Sequence, residues 1–192
     1  MSSSEEYIKK SLKDFKKIDK CLDFKKFLKN KSIHLDFGCG HGMFSYLIAE
    51  KYPINVVGVD KDIARINCAK RRTLKNLNYL CSCSISSMYD SVSVIFVLHE
   101  IKNFEKILCE VYNHLNVGGR VFVYDFRKVS KKEFKKIYRA DNIHREADFE
   151  EEYAEHNRFI PNEFVKICEY IGFKTLKLKK SGGFWFLYIG EK

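Results

Sequence analysis

The chain opens with a helical alternation of apolar and polar positions. The apolar residues recur at steps of three and four, on one face of an amphipathic helix whose other face carries lysines. These apolar residues are Ile8, Leu12, Phe15, Ile18 and Leu22. A second short turn is predicted over residues 23–28, with Phe24, Phe27 and Leu28 as its apolar residues.

Short apolar runs alternate with amphipathic stretches of helical length from residue 32 onward. Such alternation is typical of a parallel sheet that is covered by helices on both faces. The predicted strands are Ile33–Phe37, Asn55–Val59, Asn78–Cys81, Val92–Leu98 and Arg120–Asp125. The predicted helices are Phe44–Lys51, Ile63–Leu74, Phe104–Leu115, which a Val-Gly-Gly breaker ends, and Pro161–Ile171.

The C-terminal segment has the pattern of a hairpin. Residues 173–178 alternate with lysines, a Ser-Gly-Gly turn follows, and Phe184–Ile189 is apolar throughout. A tight turn between two strands makes them antiparallel, so the last strand is predicted to be buried on both faces. The pattern therefore predicts an α/β fold with five parallel strands and a terminal antiparallel hairpin.

Composition and charge narrow the class of protein. Of the 192 residues 45% are apolar and 31% are charged, which is enough to bury a core and is unlike a disordered chain. The 35 Lys and Arg outnumber the 25 Asp and Glu. Residues 141–155 reverse this sign, however, so we attribute the positive surplus mostly to solvated helix faces. A nucleic-acid partner stays open but is disfavoured.

The sequence contains none of the patterns expected of an exported or membrane-inserted protein. No window approaches the roughly 18–20 apolar residues of a membrane span, and the N-terminus lacks a signal-peptide pattern. The seven cysteines form no CxxC pair and no zinc-site spacing. We therefore expect a cytoplasmic protein with free thiols and no metal site.

A glycine-rich turn follows the first predicted strand, over residues 34–42. Gly38, Gly40 and Gly42 allow positive φ or a close approach of a ligand to the backbone. The turn lacks the Gly-Lys-Ser/Thr ending of a P-loop, and the third glycine of a dinucleotide fingerprint would fall at Met43. Asp36 lies two residues before the first glycine, and a carboxylate there suits a ligand that carries an ammonium group.

The second predicted strand is followed by Asp60, about 20 residues beyond the glycine turn. An acid at this strand tip can accept hydrogen bonds from both hydroxyls of a ribose. Together with the glycine turn, it predicts a nucleoside with an amino-acid tail, lying across the carboxyl ends of the first two strands.

These motifs resemble class I S-adenosylmethionine-dependent methyltransferases over residues 32–125 and 158–190. Asp36 and the three glycines match the first motif of the family, and Asp60 matches its ribose acid. Residues 90–101 and 115–125 match the fourth-strand and fifth-strand motifs. The segment from Arg158 is similar to ubiquinone and menaquinone methylases, which act on small molecules. The resemblance implies a Rossmann-like, doubly wound, seven-stranded sheet, mostly parallel with an antiparallel C-terminal hairpin and helices on both faces.

The resemblance also implies S-adenosyl-L-methionine as the cofactor. The family's adenine-binding Asp after the third strand is replaced here by Cys83 or a neighbour, so adenine is expected to rely on backbone groups near Ser84 and Ile85 and on the Ser84 hydroxyl. The candidate cofactor-binding residues are Asp36, Gly38, Cys39, Gly40, Gly42, Asp60, Lys61, Cys83, Ser84 and Phe96.

His99 is the candidate catalytic residue. It follows the fourth strand, near the point where open α/β sheets bind ligands, and an imidazole can accept a proton from an acceptor as the methyl group transfers. The competing interpretation is a histidine that packs the strand end. The candidate substrate-binding residues are Tyr124, Arg127, His144 and Arg158.

The implied organisation is one methyltransferase domain. It comprises an N-terminal helical cap (1–31), a cofactor-binding core (32–125), a substrate-side insertion (126–160), and a terminal helix and hairpin (161–192). The oligomeric state stays open.

The predicted reaction is methyl transfer to a small-molecule acceptor by in-line displacement. Phe96-Val-Leu-His stands where enzymes that methylate amino groups have Asn/Asp-Pro-Pro-Tyr/Phe, which disfavours adenine and protein glutamine as acceptors. Two alternatives stay open. One is an RNA or protein methyltransferase that uses the basic segments 1–31 and 127–140, and the other is a non-catalytic relative that binds S-adenosylmethionine.

Overall fold

The computed structural model describes residues 3–22, 24–28, 32–140, 149–181 and 183–192. The helices are α1 Ser3–Leu22, α2 Phe24–Phe27, α3 Met43–Lys51, α4 Ile63–Ala69, α5 Phe104–Asn113, α6 Lys131–Ala140, α7 Phe149–His156 and α8 Pro161–Ile171. The strands are β1 Ile33–Phe37, β2 Asn55–Asp60, β3 Leu77–Cys81, β4 Tyr89–Ile95, β5 Leu115–Phe126, β6 Lys174–Ser181 and β7 Trp185–Glu191.

The strands form a seven-stranded sheet in the order β3-β2-β1-β4-β5-β7-β6. The pairs among β1 to β5 are parallel, whereas β7 pairs antiparallel with both β5 and β6. The predicted fold class is thereby confirmed. The strand order reverses direction between β1 and β4, and open α/β sheets bind ligands in the crevice at such a switch point.

Helices cover the sheet on both faces. One core lies beneath α5 and α8, and the other lies beneath α1 and α3. Strand β7 contributes to both, because Phe186 and Tyr188 pack into the first core and Leu187 and Ile189 pack into the second. As predicted from its continuous apolar run, β7 is therefore buried on both faces.

The N-terminal helix packs directly on the sheet. Ile18 and Leu22 are buried, and the Phe15 ring meets Phe44 of α3 edge-on at 5.9 Å. Phe24 of α2 is also buried, with its ring 4.9 Å from that of Phe122. Within the described ranges, no helix combines the length and apolarity that crossing a membrane requires.

Several predicted element boundaries were wrong by a few residues. The fourth strand ends at Ile95 and not at Leu98, because Phe96 adopts a φ of 57° and leaves the extended conformation. A 3₁₀ turn, Leu98–Glu100, follows. Helix α4 ends at Ala69, five residues earlier than predicted, and the next backbone hydrogen bonds tighten to three-residue spacing.

The Gly-Gly pair after α5 does not end that helix. Helix α5 already ends at Asn113, and Leu115 pairs with Tyr89 as the first residue of β5. Gly118, with a φ of 72°, and Gly119 lie inside an irregular stretch of β5. Their backbone groups exchange hydrogen bonds of 2.9 and 3.0 Å with Lys192, so the glycines bend the strand toward the C-terminus.

Two helices, α6 and α7, lie within the polar segment 126–160. Phe134 of α6 is buried against the rings of Phe149 and Tyr153 of α7, at 5.7 and 5.3 Å. It also contacts the Phe184 ring at 5.3 Å, just before β7. This contact places the helix pair next to the carboxyl end of β5.

Candidate functional site

A cleft of about 750 Å³, partly open to solvent, lies at the carboxyl ends of β1, β2 and β4. This is the switch point of the sheet, where a ligand is expected in an open α/β fold. The lining residues are Phe37, Gly38, Val59, Asp60, Lys61, Arg65, Ser82, Cys83, Phe96, Val97, Glu100, Ile101 and Ile107.

The glycine loop borders the cleft, which its first glycine, Gly38, lines. Gly38, Gly40 and Gly42 all have positive φ, of 75°, 54° and 75°. A Cβ on Gly38 would lie 2.4 Å from Val97 Cγ2, and one on Gly42 would lie 2.6 Å from the Tyr79 hydroxyl. A Cβ on Gly40 would meet no heavy atom within 4 Å. The first and third glycines are therefore required by packing, whereas Gly40 borders open space.

Asp60 connects the glycine loop to the tip of β2. Its carboxylate accepts the Gly40 N–H at 2.8 Å and the Asp62 N–H at 2.9 Å. The residue lines the cleft and is 7% exposed. Because a carboxylate offers about four acceptor positions, Asp60 can accept two further hydrogen bonds from a ligand.

Asp36 lies beneath the loop and does not line the cleft. Its carboxyl oxygens accept hydrogen bonds from the hydroxyls of Ser45, at 2.6 Å, and Ser93, at 2.8 Å. Burial raises the pKa of Asp36 above its ordinary value. The position differs from the predicted contact with a ligand ammonium group, and it makes Asp36 an internal anchor of the loop.

A buried histidine continues the hydrogen-bond chain below Asp36. His34 Nε2 lies 2.9 Å from Ser93 Oγ, and His34 Nδ1 lies 2.7 Å from Ser91 Oγ. Since the Ser93 hydroxyl donates to Asp36, it accepts from His34 Nε2–H, which leaves Nδ1 to accept from Ser91. Burial lowers the pKa of His34 to about 3, so its imidazole is neutral.

Cys39 lies between Gly38 and Gly40 of the loop. Burial raises its pKa, and the nearby Asp36 and Asp60 carboxylates raise it further. The thiol therefore stays protonated at neutral pH and is a poor nucleophile. It fits the loop as a small side chain, as the sequence favoured.

The end of the cleft near β3 contains Ser82 and Cys83, but not Ser84. The Ser84 N–H donates to Ser82 Oγ at 3.1 Å, and the Ile85 N–H donates to Glu110 Oε1 of α5 at 2.6 Å. The backbone donors that we expected to bind adenine are therefore already paired within the protein.

Of the predicted cofactor residues, the structure brings five together around the cleft. These are Gly38, Asp60, Lys61, Cys83 and Phe96. Sequence reasoning missed lining residues on α4, on the 3₁₀ turn, just after that turn and on α5, because no motif marks them and only the fold turns them toward the cleft. The missed residues include Arg65, Glu100, Ile101 and Ile107.

His99 is buried next to the cleft and does not line it. Its Nδ1 lies 2.8 Å from Asp125 Oδ1, and the other Asp125 oxygen accepts the Leu98 N–H at 2.9 Å. The ring stacks on His156 with centroids 4.8 Å apart. His99 Nε2 lies 4.0 Å from Oε1 of Glu100, which does line the cleft.

Phe96 brings an aromatic cluster to the opposite wall of the cleft. Its φ of 57° is uncommon for a bulky residue, and such backbone conformations concentrate at functional sites. The Phe96 ring contacts those of Tyr124, Phe126 and Trp185 at centroid distances of 5.4, 5.7 and 5.0 Å. The predicted substrate residue Tyr124 is buried, so it supports this wall from behind.

The remaining predicted substrate residues hold loops in place. Arg127 donates to the Gly183 carbonyl at 2.8 Å and pairs with Glu133 at 3.1 Å. Arg158 donates to the carbonyls of His99 and Lys102, at 2.6 and 3.3 Å. His144 lies outside the described residues.

Comparisons with known proteins agree with this geometry. A family model described as a methyltransferase domain matches residues 6–178. The ubiquinone/menaquinone biosynthesis C-methyltransferase UbiE of Zymomonas mobilis is 26% identical over 119 residues, which are 57% of this chain and 49% of that protein. The chain thus matches about half the length of this curated relative.

Solved structures of methyltransferases share the fold. The plantazolicin methyltransferase BpumL in complex with SAH superposes with a TM-score of 0.75 at 16% identity, covering 98% of this chain and 88% of that one. An S-adenosylmethionine-dependent methyltransferase from Aquifex aeolicus gives 0.69 at 19% identity, covering 91% and 88%. Since the family model spans most of the sequence and the glycine loop and Asp60 meet at the switch point of the expected sheet, this chain belongs to the class I S-adenosylmethionine-dependent methyltransferases.

Proposed function

We propose that the protein transfers a methyl group from S-adenosylmethionine to a small-molecule acceptor. The observation that carries this proposal is the pairing of Asp60 with Gly40 at the cleft: a carboxylate with acceptor capacity to spare stands next to backbone that has open space beside it. The first feature suits a ribose, and the second suits a ligand chain that lies against the loop.

The cleft residues fit the cofactor part by part. Asp60 would accept the ribose hydroxyls, and the Gly38–Gly40 backbone would hold the amino-acid end. Ser82, Cys83 and Ile101 would surround the base. When bound, S-adenosylmethionine supplies a methyl group on a positively charged sulfonium, which needs no further activation. The protein then has to orient the acceptor and exclude water, and such positioning can contribute about 7–11 kcal/mol to lowering the barrier.

The acceptor would approach along the aromatic wall. Phe96 faces the cleft and is supported by Tyr124 and Trp185, an arrangement suited to a flat, largely apolar molecule. The curated relative is named for ubiquinone and menaquinone biosynthesis, and this name supports an acceptor with a conjugated ring.

We propose that His99 receives the proton that the acceptor loses. Asp125 accepts the His99 Nδ1–H, which fixes the tautomer whose Nε2 is free to accept. Because His99 is buried, the proton would pass first to the Glu100 carboxylate, which lines the cleft. It would reach His99 Nε2 once the exposed Glu100 side chain rotates to close the 4.0 Å that separates Oε1 from Nε2. Asp125 is then a positioning residue, since it acts through the imidazole.

A second candidate function is methylation of RNA. It is favoured by the exposed lysines on α1, one of which, Lys17, lies over the ring of Trp185 in β7. The basic composition of the chain points the same way, although charge alone is shared by many proteins.

Transfer of a labelled methyl group separates these functions. The protein is incubated with methyl-tritiated S-adenosylmethionine and, separately, with the low-mass, RNA and protein fractions of a cell extract. We expect the label in the low-mass fraction. The Asp60→Ala variant serves as the negative control and should transfer little label. Label in RNA or protein alone would overturn the small-molecule proposal. Cofactor binding with no labelled product in any fraction would identify a non-catalytic relative.

A further inference from the structure

Lysines from three separate elements converge on one face of the molecule. Residues 11–22 of α1, together with α2 and β6, contain ten lysines but only two acids, Asp14 and Asp19. Nine of these lysines form what we call the α1–β6 lysine face, because Lys180 pairs with Phe186 of the other core and so lies on the opposite side of the sheet. The nine are Lys13, Lys16, Lys17, Lys20, Lys25, Lys26, Lys174, Lys177 and Lys179.

Direct contacts make the α1–β6 lysine face continuous, although its two halves are about 150 residues apart in sequence. Lys177 Nζ of β6 donates to the Cys21 carbonyl of α1 at 2.8 Å. Lys179 pairs with Leu187, whose side chain belongs to the core beneath α1, so both lysines point to the α1 side of the sheet. The face therefore spans the outer surface of α1 and the adjoining sheet edge.

The lysines of this face are not paired with acids among the described residues. The Asp19 carboxylate is occupied by Lys51 of α3 and by the Tyr52 hydroxyl. Across the part of the chain that the structure describes, none of the nine lysines forms an ion pair with an acid. Nine ammonium groups without such a partner on one surface produce a local positive potential that attracts a polyanion.

Protection of an exposed strand edge accounts for only part of the pattern. Lysines on an edge strand discourage pairing with other chains, and β6 is an edge strand. Strand β3, the opposite edge, contains no lysine at all. Helix α1 has no strand edge to protect, yet it carries four exposed lysines toward the same surface. A shared ligand explains both elements together.

The composition of the face favours nucleic acid over a membrane surface. Interfacial helices insert large apolar side chains among the lipids, and Leu12, at 37%, is the one exposed large apolar residue among the described side chains of these elements. One aromatic ring adjoins the face: Lys17 Nζ is 5.5 Å from the ring centre of Trp185, which is partly exposed. Sites that bind single-stranded nucleic acid typically combine basic side chains along the phosphate backbone with an aromatic ring that contacts a base.

We propose that the α1–β6 lysine face binds the phosphate backbone of a single-stranded nucleic acid, with a base placed against the partly exposed Trp185. The Trp185 ring contacts that of Phe96 at 5.0 Å, and Phe96 lines the cleft, so the strand would run past the acceptor side of the site. The inference goes beyond the proposed function and does not depend on it, because a strand can dock here whether or not it is methylated.

Anisotropy of a labelled oligouridylate of about 12 nucleotides tests the surface. The test variant is Lys16→Gln/Lys20→Gln/Lys179→Gln, whose residues are exposed and lie outside the cleft. Its control removes the same charge elsewhere, as Lys70→Gln/Lys106→Gln/Lys166→Gln, also at exposed positions. For the wild type we expect a steep loss of affinity with salt. The slope of log K against log salt should become about 2 units shallower in the test variant and stay unchanged in the control.

Three further readouts decide the assignment. The emission of Trp185, the one tryptophan of the sequence, should fall on binding. An oligothymidylate of equal length distinguishes RNA from DNA as the source of the strand, and binding of either supports the proposal. Equal weakening in the control variant, unchanged Trp185 emission, or equally strong competition by polyglutamate or by anionic vesicles would overturn it. Calorimetry with S-adenosylhomocysteine on the same variants reports the cofactor site separately, so either proposal can fail alone.

Discussion

The Asp60 carboxylate accepts the backbone N–H of Gly40 at 2.8 Å, across 20 residues of sequence. This hydrogen bond joins the tip of β2 to the middle of the glycine loop, so the two predicted halves of the cofactor site are one unit before any ligand binds. The loop is also held from below by Asp36 and Ser45. A site fixed in this way loses little conformational entropy when it binds a ligand.

Replacement of Asp60 should weaken cofactor binding more than it weakens the fold. Asp60→Ala removes a charged acceptor, and hydrogen bonds to charged groups contribute about 1.5–3 kcal/mol. We therefore expect the affinity for S-adenosylhomocysteine, measured by calorimetry, to fall about 10- to 100-fold.

Asp62 provides a matched control for this substitution. It lies two residues further on and caps α4 by accepting the N–H groups of Ala64 and Arg65. Asp62→Ala should lower the free energy of unfolding by about 1 kcal/mol through loss of the cap, and leave the affinity nearly unchanged. Equal losses of affinity in both variants would mean that Asp60 acts only by ordering the loop.

Substitutions at two loop glycines should distinguish a role in packing from a role in ligand binding. Gly42→Ala would place a Cβ 2.6 Å from the Tyr79 hydroxyl and 2.7 Å from Ala69 Cβ, at a positive φ. We expect a loss of about 2–5 kcal/mol in the free energy of unfolding, measured with urea. Gly40→Ala has open space, so its loss should be the backbone strain alone, about 1–2 kcal/mol.

The affinity of these two variants for the cofactor tests whether a ligand lies against the loop. If a ligand lies against the loop backbone, Gly40→Ala fills that space and reduces affinity beyond what its small loss of stability explains. Unchanged affinity in folded Gly40→Ala protein would show that the ligand does not approach the loop at this residue.

Local motifs predicted the core of this fold well, for a physical reason. The apolar runs of β1, β2 and β7 and the loop glycines are dictated by burial and by backbone conformation within a few residues. The end of β4 was missed because Phe96 turns to positive φ without a glycine. That turn depends on tertiary contacts with Tyr124 and Trp185, which no local pattern contains.

The orientation of charged and polar side chains was harder to predict. Asp36 occupies the motif position that the resemblance assigns to the ligand, but it faces Ser45 and Ser93. Ser93 is 57 residues away in sequence and meets Asp36 only because β1 and β4 pair. Partners brought together by strand pairing leave no signal in a single sequence.

Loss of the His99 imidazole should slow methyl transfer without weakening cofactor binding. A general base typically contributes 10²- to 10⁴-fold, so we expect His99→Ala to reduce kcat by about that factor at constant affinity for the donor. The control is His114→Ala, at a histidine whose ring Nδ1 bonds the Glu110 carbonyl at the end of α5, away from the cleft. Turnover equal to wild type in His99→Ala would leave His99 with a packing role.

Asp125 should act through His99. In Asp125→Asn an amide replaces the carboxylate that accepts from Nδ1, and the tautomer with Nε2 as acceptor is no longer fixed. We expect a lower kcat and a shifted acidic limb in the profile of kcat against pH. A purely structural role would lower the thermal stability and leave that limb in place.

The buried His34 should make the protein less stable in acid. Its pKa is about 3 in the fold against about 6.5 in the unfolded chain, because burial disfavours the imidazolium. Between these values the unfolded state binds a proton that the native state does not. The free energy of unfolding should therefore fall as the pH drops from about 6.5 toward 3, by up to about 1.4 kcal/mol per pH unit.

Comparison with a His34 variant isolates this contribution from that of Asp36. Burial raises the Asp36 pKa, so as the pH falls the native state takes up a proton there before the unfolded state does, which opposes the effect of His34. Urea titrations at several pH values give the free energy of unfolding of wild type and of His34→Asn, and the difference between the two cancels the Asp36 contribution. We expect this difference to decrease as the pH falls from about 6.5 toward 3. The free energy of unfolding of the control variant His114→Asn should follow that of wild type. A slope that survives in His34→Asn would assign the acid sensitivity to another group.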